Sequence, residues 1–221
     1  MIMRNAKNIN KGKMIESSST KFPPPLMVGN HVALDFLNSV ASPNGEPIEW
    51  LADGEKLLSW LEHTHLIAQD EALRHFKAAN FSDTAEKARN MREEMRRIIT
   101  DKAAGRLVNA GSSVFNVLNQ VLFNENRYAQ LDCRHGDYAI HRHFRWQHPD
   151  EVLLPLADSI ADLICNADFS LVRKCENPKC TLWFYDHTKG HRRRWCTTTI
   201  CGNRAKVAAH RARKKTSATS F

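Results

Sequence analysis

Four cysteines near the C-terminal end constrain this chain more than any other feature. They form two pairs of equal spacing, Cys175-Glu-Asn-Pro-Lys-Cys180 and Cys196-Thr-Thr-Thr-Ile-Cys201, separated by fifteen residues. Each short pair lets a tight turn aim two sulfurs at one point, and zinc (Zn2+) takes four thiolates in a tetrahedron at about 2.3 Å. Four ordinary buried thiols or two disulfides are the alternatives, and the paired spacing favours a metal over both. The spacer holds two β-prone runs, Leu182–Tyr185 and Arg194–Trp195, around a polar turn, and it reads as a hairpin. After Cys201 the chain is rich in Ala, Arg and Lys and lacks Pro, which predicts a basic helix with Asn203 at its N-cap. Knuckle, hairpin and helix together predict a treble-clef-like module. Replacing any of the four cysteines is expected to unfold residues 171–215 and leave the rest folded.

The run from Trp195 to Lys206, with Phe184 and Asp186 upstream, resembles the CGNR zinc-finger family, which takes its name from Cys201-Gly202-Asn203-Arg204. The resemblance covers about residues 173–215. Members of that kind carry an N-terminal ABATE domain described as a stress-induced transcription regulator. Val32–Asn38 and Trp60-Leu61 are similar to parts of that domain. The resemblance implies zinc as cofactor and a DNA-binding, regulatory role.

Charge is strongly segregated. Thirteen of the 32 Lys and Arg, but only two of the 24 acids, lie in residues 171–221. That segment therefore carries +11 and the preceding 170 residues −3, so an acidic body bears a basic tail suited to a polyanion. A merely solubilising tail is the competing explanation. The basic helix lacks the wide apolar face of a membrane-surface helix, and no 18-residue apolar run predicts a span. Cysteines in metal spacing and the lack of a secretory apolar region predict a cytoplasmic protein. Cys133 and Cys165 read as small buried hydrophobes.

The predicted fold class is α+β, with a mainly helical N-terminal domain that includes a β-hairpin. Residues 1–21 read as disordered, 22–170 as the ABATE-like domain, 171–215 as the zinc finger and 216–221 as a disordered tail. Met14 is an alternative start. Residues 32–40 read as a helix or a strand, with helix favoured, and helices are expected over 53–61, 70–79, from Asp83 (with a capping box to Glu86) to about Gly105, over 113–123 and over 151–166. Residues 128–133 and 138–146 flank His135-Gly136-Asp137, a hairpin signal.

No catalytic residue is predicted. The His141, His143 and His148 cluster reads as a solvated hairpin face, and no H-E-x-x-H, phosphate loop or G-x-S-x-G is present. His187 and His191 are spare ligand candidates beside an already complete four-thiolate set. The predicted double-stranded DNA contacts are Arg192, Arg193, Arg194, Asn203, Arg204, Lys206, Arg211, Arg213, Lys214 and Lys215, with Val207 and Ala208 packed against the knuckle. The body is expected to bind a small-molecule effector, form a homodimer, or both, with Trp50, Trp60 and the 138–146 strand as candidate pocket groups. An RNA-binding zinc protein and an enzyme with its site in the body are the rival readings.

Overall fold

In the computed structural model of the chain, the described residues are 22–42, 46–67, 75–76, 80–109, 113–123, 127–134 and 136–218. The apolar run Val32–Leu37 forms a short helix, α1, started by His31, whose Nδ1 accepts from the Ala33 N–H. Every residue from Ala33 to Leu37 is buried, so α1 is enclosed on nearly all sides. It packs against the helices over 82–103 and 154–166 and against the strand at 183–185, which makes it the hub of the molecule. Behind it β1 (Val40–Ala41) pairs antiparallel with β2 (Ile48–Glu49). Asp53 caps α2 (Gly54–His63), accepting from the Lys56 N–H at 2.9 Å.

The long helix α3 (Ser82–Ala103) buries Ala85, Ala88, Met91, Met95, Ile98 and Ile99 along one stripe, the spacing that predicted it. The expected Asp83–Glu86 capping box does not form. The helix begins one residue earlier, and the Asn80 side chain takes the Ser82 N–H at 3.0 Å instead. Gly105, at φ +69°, ends the helix in the left-handed conformation that glycine tolerates. Arg92, 3 % exposed, clamps Glu49 through both carboxylate oxygens at 2.7 and 2.6 Å and so ties α3 to β2.

Next come α4 (Ser113–Phe123), the ribbon β3 (Arg127–Arg134) and β4 (Asp137–Phe144), a 3-10 turn at Pro149–Leu153, and α5 (Leu154–Asn166). The helix expected over 70–79 lies outside the described residues except for His75 and Phe76, as does the turn residue His135. Cys133 and Cys165 are exposed, not buried as expected; Cys133 stands on the open ribbon and Cys165 near the end of α5. Trp50 and Trp60 are core residues, 2 % and 1 % exposed.

The C-terminal module is built on β5 (Val172–Lys174) and β6 (Trp183–Tyr185), paired antiparallel with Val172 opposite Tyr185. The first cysteine pair therefore lies in the β5–β6 connection. The hairpin expected inside the spacer is absent, because Asp186 gathers the chain around itself. Its carboxylate accepts from the Thr188 N–H and hydroxyl and from the Arg193 N–H, curling residues 186–193 into a polar turn. A π-helical turn (Thr198–Gly202) then leads into α6 (Asn203–Ala218).

The module shares one continuous core with the body. Leu182, Trp183, Phe184, Cys175, Cys196 and Cys201 belong to the same buried cluster as Leu34, Phe36, Met95 and Ile160.

Candidate metal centre and nucleic-acid interface

The two cysteine turns meet. The Cys175 N–H donates to Leu182 O at 2.9 Å, closing the knuckle at the end of β5. Asn177 shapes the turn: its Oδ1 takes the Lys179 N–H, and its Nδ2 reaches Cys201 Sγ at 3.3 Å. The Cys196 N–H points at Cys175 Sγ at 3.4 Å, so each pair donates to a sulfur of the other. All four sulfurs lie within 4.8 Å of one another, with Cys180–Cys196 at 3.8 Å and Cys196–Cys201 at 3.5 Å. A tetrahedron with metal–sulfur bonds of about 2.3 Å needs sulfurs about 3.8 Å apart, so this cage fits zinc.

The electrostatics of the cage also suit a cation. The bond from the Cys196 thiol pulls Cys180 down to about 5, whereas that same bond and burial push Cys196 far up. Burial raises Cys175 as well. The sulfurs alone thus favour one thiolate among protonated neighbours, and a divalent ion is what allows all four to ionise. His187 and His191 are not in the four-sulfur group: His187 rests on the Tyr185 ring, and His191 Nδ1 meets Asp186 O.

Gly202 sits where a Cβ would come 3.3 Å from Trp195, a tight contact that any larger residue would relieve only by shifting the indole a few tenths of an ångström. Asn203 is not the N-cap. Thr197 takes that role by accepting from the Ile200 N–H, and Asn203 is the first α6 residue, bonded to Thr199 O.

The predicted arginine triplet divides. Arg192 is exposed, and Arg194 is exposed with its Nε on Glu176 at 2.6 Å and its guanidinium over Trp195. Arg193 turns inward. It donates to Val28 O at 2.8 Å, to Trp195 O at 3.0 Å and to Cys196 O, with its guanidinium over the Phe184 ring. Its Nε and one Nη are thus held by backbone carbonyls, and the half-buried side chain still borders the open groove beside Trp195. Arg192 and Arg194, with Trp195 and Thr198, line an open groove of about 700 Å³.

Asn203, Arg204, Lys206, Arg211, Arg213 and Lys214 are all exposed on α6; the Lys215 side chain is outside the described residues. Val207 is 49 % exposed and Ala208 is exposed, so they do not pack on the knuckle as expected. A face made mostly of alanine buries too little area to hold the helix down, and α6 projects from its preceding turn.

The sequence reading missed the contacts that join module and body. Asn38, 2 % exposed, pairs its amide with both backbone groups of Trp183 at 2.8 Å, imitating a neighbouring strand. Gly29 O accepts from the Tyr185 N–H at 2.7 Å. Asp35 holds this turn by accepting from Gly29 N–H at 2.7 Å. A signal was present in Asp35 and Asn38, two polar groups inside an apolar run.

Burial pushes Asp35 up to about 6, against Gly29 and Val28 N–H bonds and the Arg193 charge, which pull it down. Its folded pKa lies above the ordinary 3.8 of an aspartate, so its contribution to stability is fully present below about pH 4 and is lost as pH rises through 6. The size is about 3 kcal/mol. Urea midpoints measured from pH 4 to 7 at saturating zinc are expected to differ in slope between the wild type and Asp35→Asn by this amount, because the pH dependence of the zinc site is common to both. Equal slopes in the two proteins would refute the assignment.

A four-thiol cage, a two-stranded hairpin and a basic helix define a zinc-finger protein, and residues 172–214 match the CGNR zinc finger. Residues 30–167, more than half of the chain, match the ABATE model, "Putative stress-induced transcription regulator", and the chain belongs to that family. A search of curated proteins returns no match.

Proposed function

We propose that the protein regulates transcription by holding duplex DNA through its C-terminal module, with zinc bound by Cys175, Cys180, Cys196 and Cys201. The observation that carries this reading is where the charge sits. Ten of the thirteen bases of the +11 segment lie on α6 and on the loop that precedes it, between Lys189 and Lys215. One helix fits a major groove, and bases spread around it suit phosphates on either side. Arg192 and Arg194 would hold phosphates beside the groove at Trp195, and Arg204 and Arg211, seven residues apart on one face, would approach base edges. Zinc has a structural part here: a closed four-thiolate site leaves no position for water. The body supplies the regulatory input, and the exposed apolar face of its ribbon, with Leu131 and Ile140 opposite each other, is where a homodimer would form.

Charge reversal separates the outward arginines from the inward one. Arg192→Glu with Arg194→Glu is expected to weaken binding to every duplex about equally, by roughly a hundredfold at low salt, while the melting temperature stays put. Arg193→Ala is expected to lower the melting temperature. Unchanged duplex affinity in the double variant would overturn the interface, and tighter binding to a stem-loop RNA than to duplex DNA would move the reading to RNA.

A further inference from the structure

The groove between α3 and β5 lies at the junction of the body and the zinc module, and its volume of about 780 Å³ is in the range of small-molecule sites. One wall is the face of α3 carrying Glu93, Arg96 and Thr100; the other is β5 with Arg173 and Lys174; Phe169 and Trp183 add aromatic surface. An apolar floor under a cationic rim selects a particular kind of ligand.

The charges at that rim are unequal in availability. Glu93 is committed to Arg92 and Arg96, at 3.0 and 2.8 Å. Arg173 is only loosely paired: Asp186 lies 3.9 Å away, and that carboxylate is already taken by Thr188 and the Arg193 N–H. Lys174 is exposed and has no ion-pair partner among the described residues. Lys102 adds a third positive group nearby, 4.5 Å over the Phe169 ring.

We infer that this groove binds a small organic anion, a carboxylate on an apolar body, with the carboxylate on Arg173 and Lys174 and the apolar part against Phe169 and Trp183. Such a ligand touches α3 of the body and β5–β6 of the zinc module at once. Binding it strengthens their docking and gives the regulatory input a physical location. The inference deepens the regulatory reading, yet the binding itself can be measured without DNA.

Isothermal titration of the zinc-loaded full chain with octanoate, octanol and octylamine tests it. Saturable 1:1 binding is expected for octanoate, weaker binding for octanol and none for octylamine. Thr100→Trp, on the exposed face of α3, fills the groove and is expected to abolish binding. Arg173→Gln with Lys174→Gln removes the charge and is expected to weaken octanoate about tenfold, bringing it level with octanol. No saturable octanoate binding, equal binding of octylamine, or octanoate affinity unchanged in both variants overturns the site. DNA affinity with and without octanoate is a separate arm. If octanoate binds and DNA affinity does not move, the regulatory coupling fails and the site stands; if DNA never binds, only the proposed function fails.

Discussion

Removing zinc, or replacing Cys196 by Ser, is expected to loosen the whole molecule rather than its last fifty residues. Cys196 is 2 % exposed, and the residues around the cage share one buried cluster with α1, α3 and α5. Zinc binding in such modules contributes about 10–16 kcal/mol, comparable with the whole stability of an ordinary domain. Without it the sulfurs return to one thiolate among thiols, the second turn loses its anchor, and Phe184 and Leu182 lose their backing. The Trp183 face that α1 packs against then opens as well. Hydrogen exchange after chelation is expected to show lost protection in α1 as well as in β5–β6. Full protection of α1 amides with only the module exposed would show instead that the module unfolds apart from the body.

Asn38→Ala is expected to cost about 2–6 kcal/mol, because it strands both a buried donor and a buried acceptor on Trp183, each worth about 1–3 kcal/mol when unsatisfied. Among the described residues no other side chain bonds both backbone groups of a β6 residue, and Asn38 is only 2 % exposed. Urea unfolding is the measurement. A loss below about 1 kcal/mol would show that the Asn38 bonds contribute little to holding the junction. Asn38→Ser is expected to fall between, since one hydroxyl is too short to meet both groups.

The zinc cage was the most legible part of the chain, because ligand spacing is a local property and a turn of four residues has few ways to aim its sulfurs. The helices α2, α3 and α4 were legible for a similar reason, their apolar stripes being periodic. The junction was not. Asn38 meets Trp183 across 145 residues, and its intrusion into an apolar run flags the residue without saying which strand it meets. Arg193 is flanked by two exposed arginines and is indistinguishable from them in sequence; its inward turn follows from Asp186 capturing its N–H. The spacer hairpin was misplaced because β-prone residues reveal a strand but not its partner, and Trp183–Tyr185 pairs backwards with Val172–Lys174.

Fluorescence anisotropy of a labelled 20-base-pair duplex, titrated with zinc-loaded protein over a range of salt, tests the central claim most directly. With about five of the outward bases on phosphates, log Kobs is expected to fall with log salt at a slope of roughly −4.5, and chelated protein to lose the binding. An affinity that ignores salt, or one that survives chelation unchanged, would contradict the account.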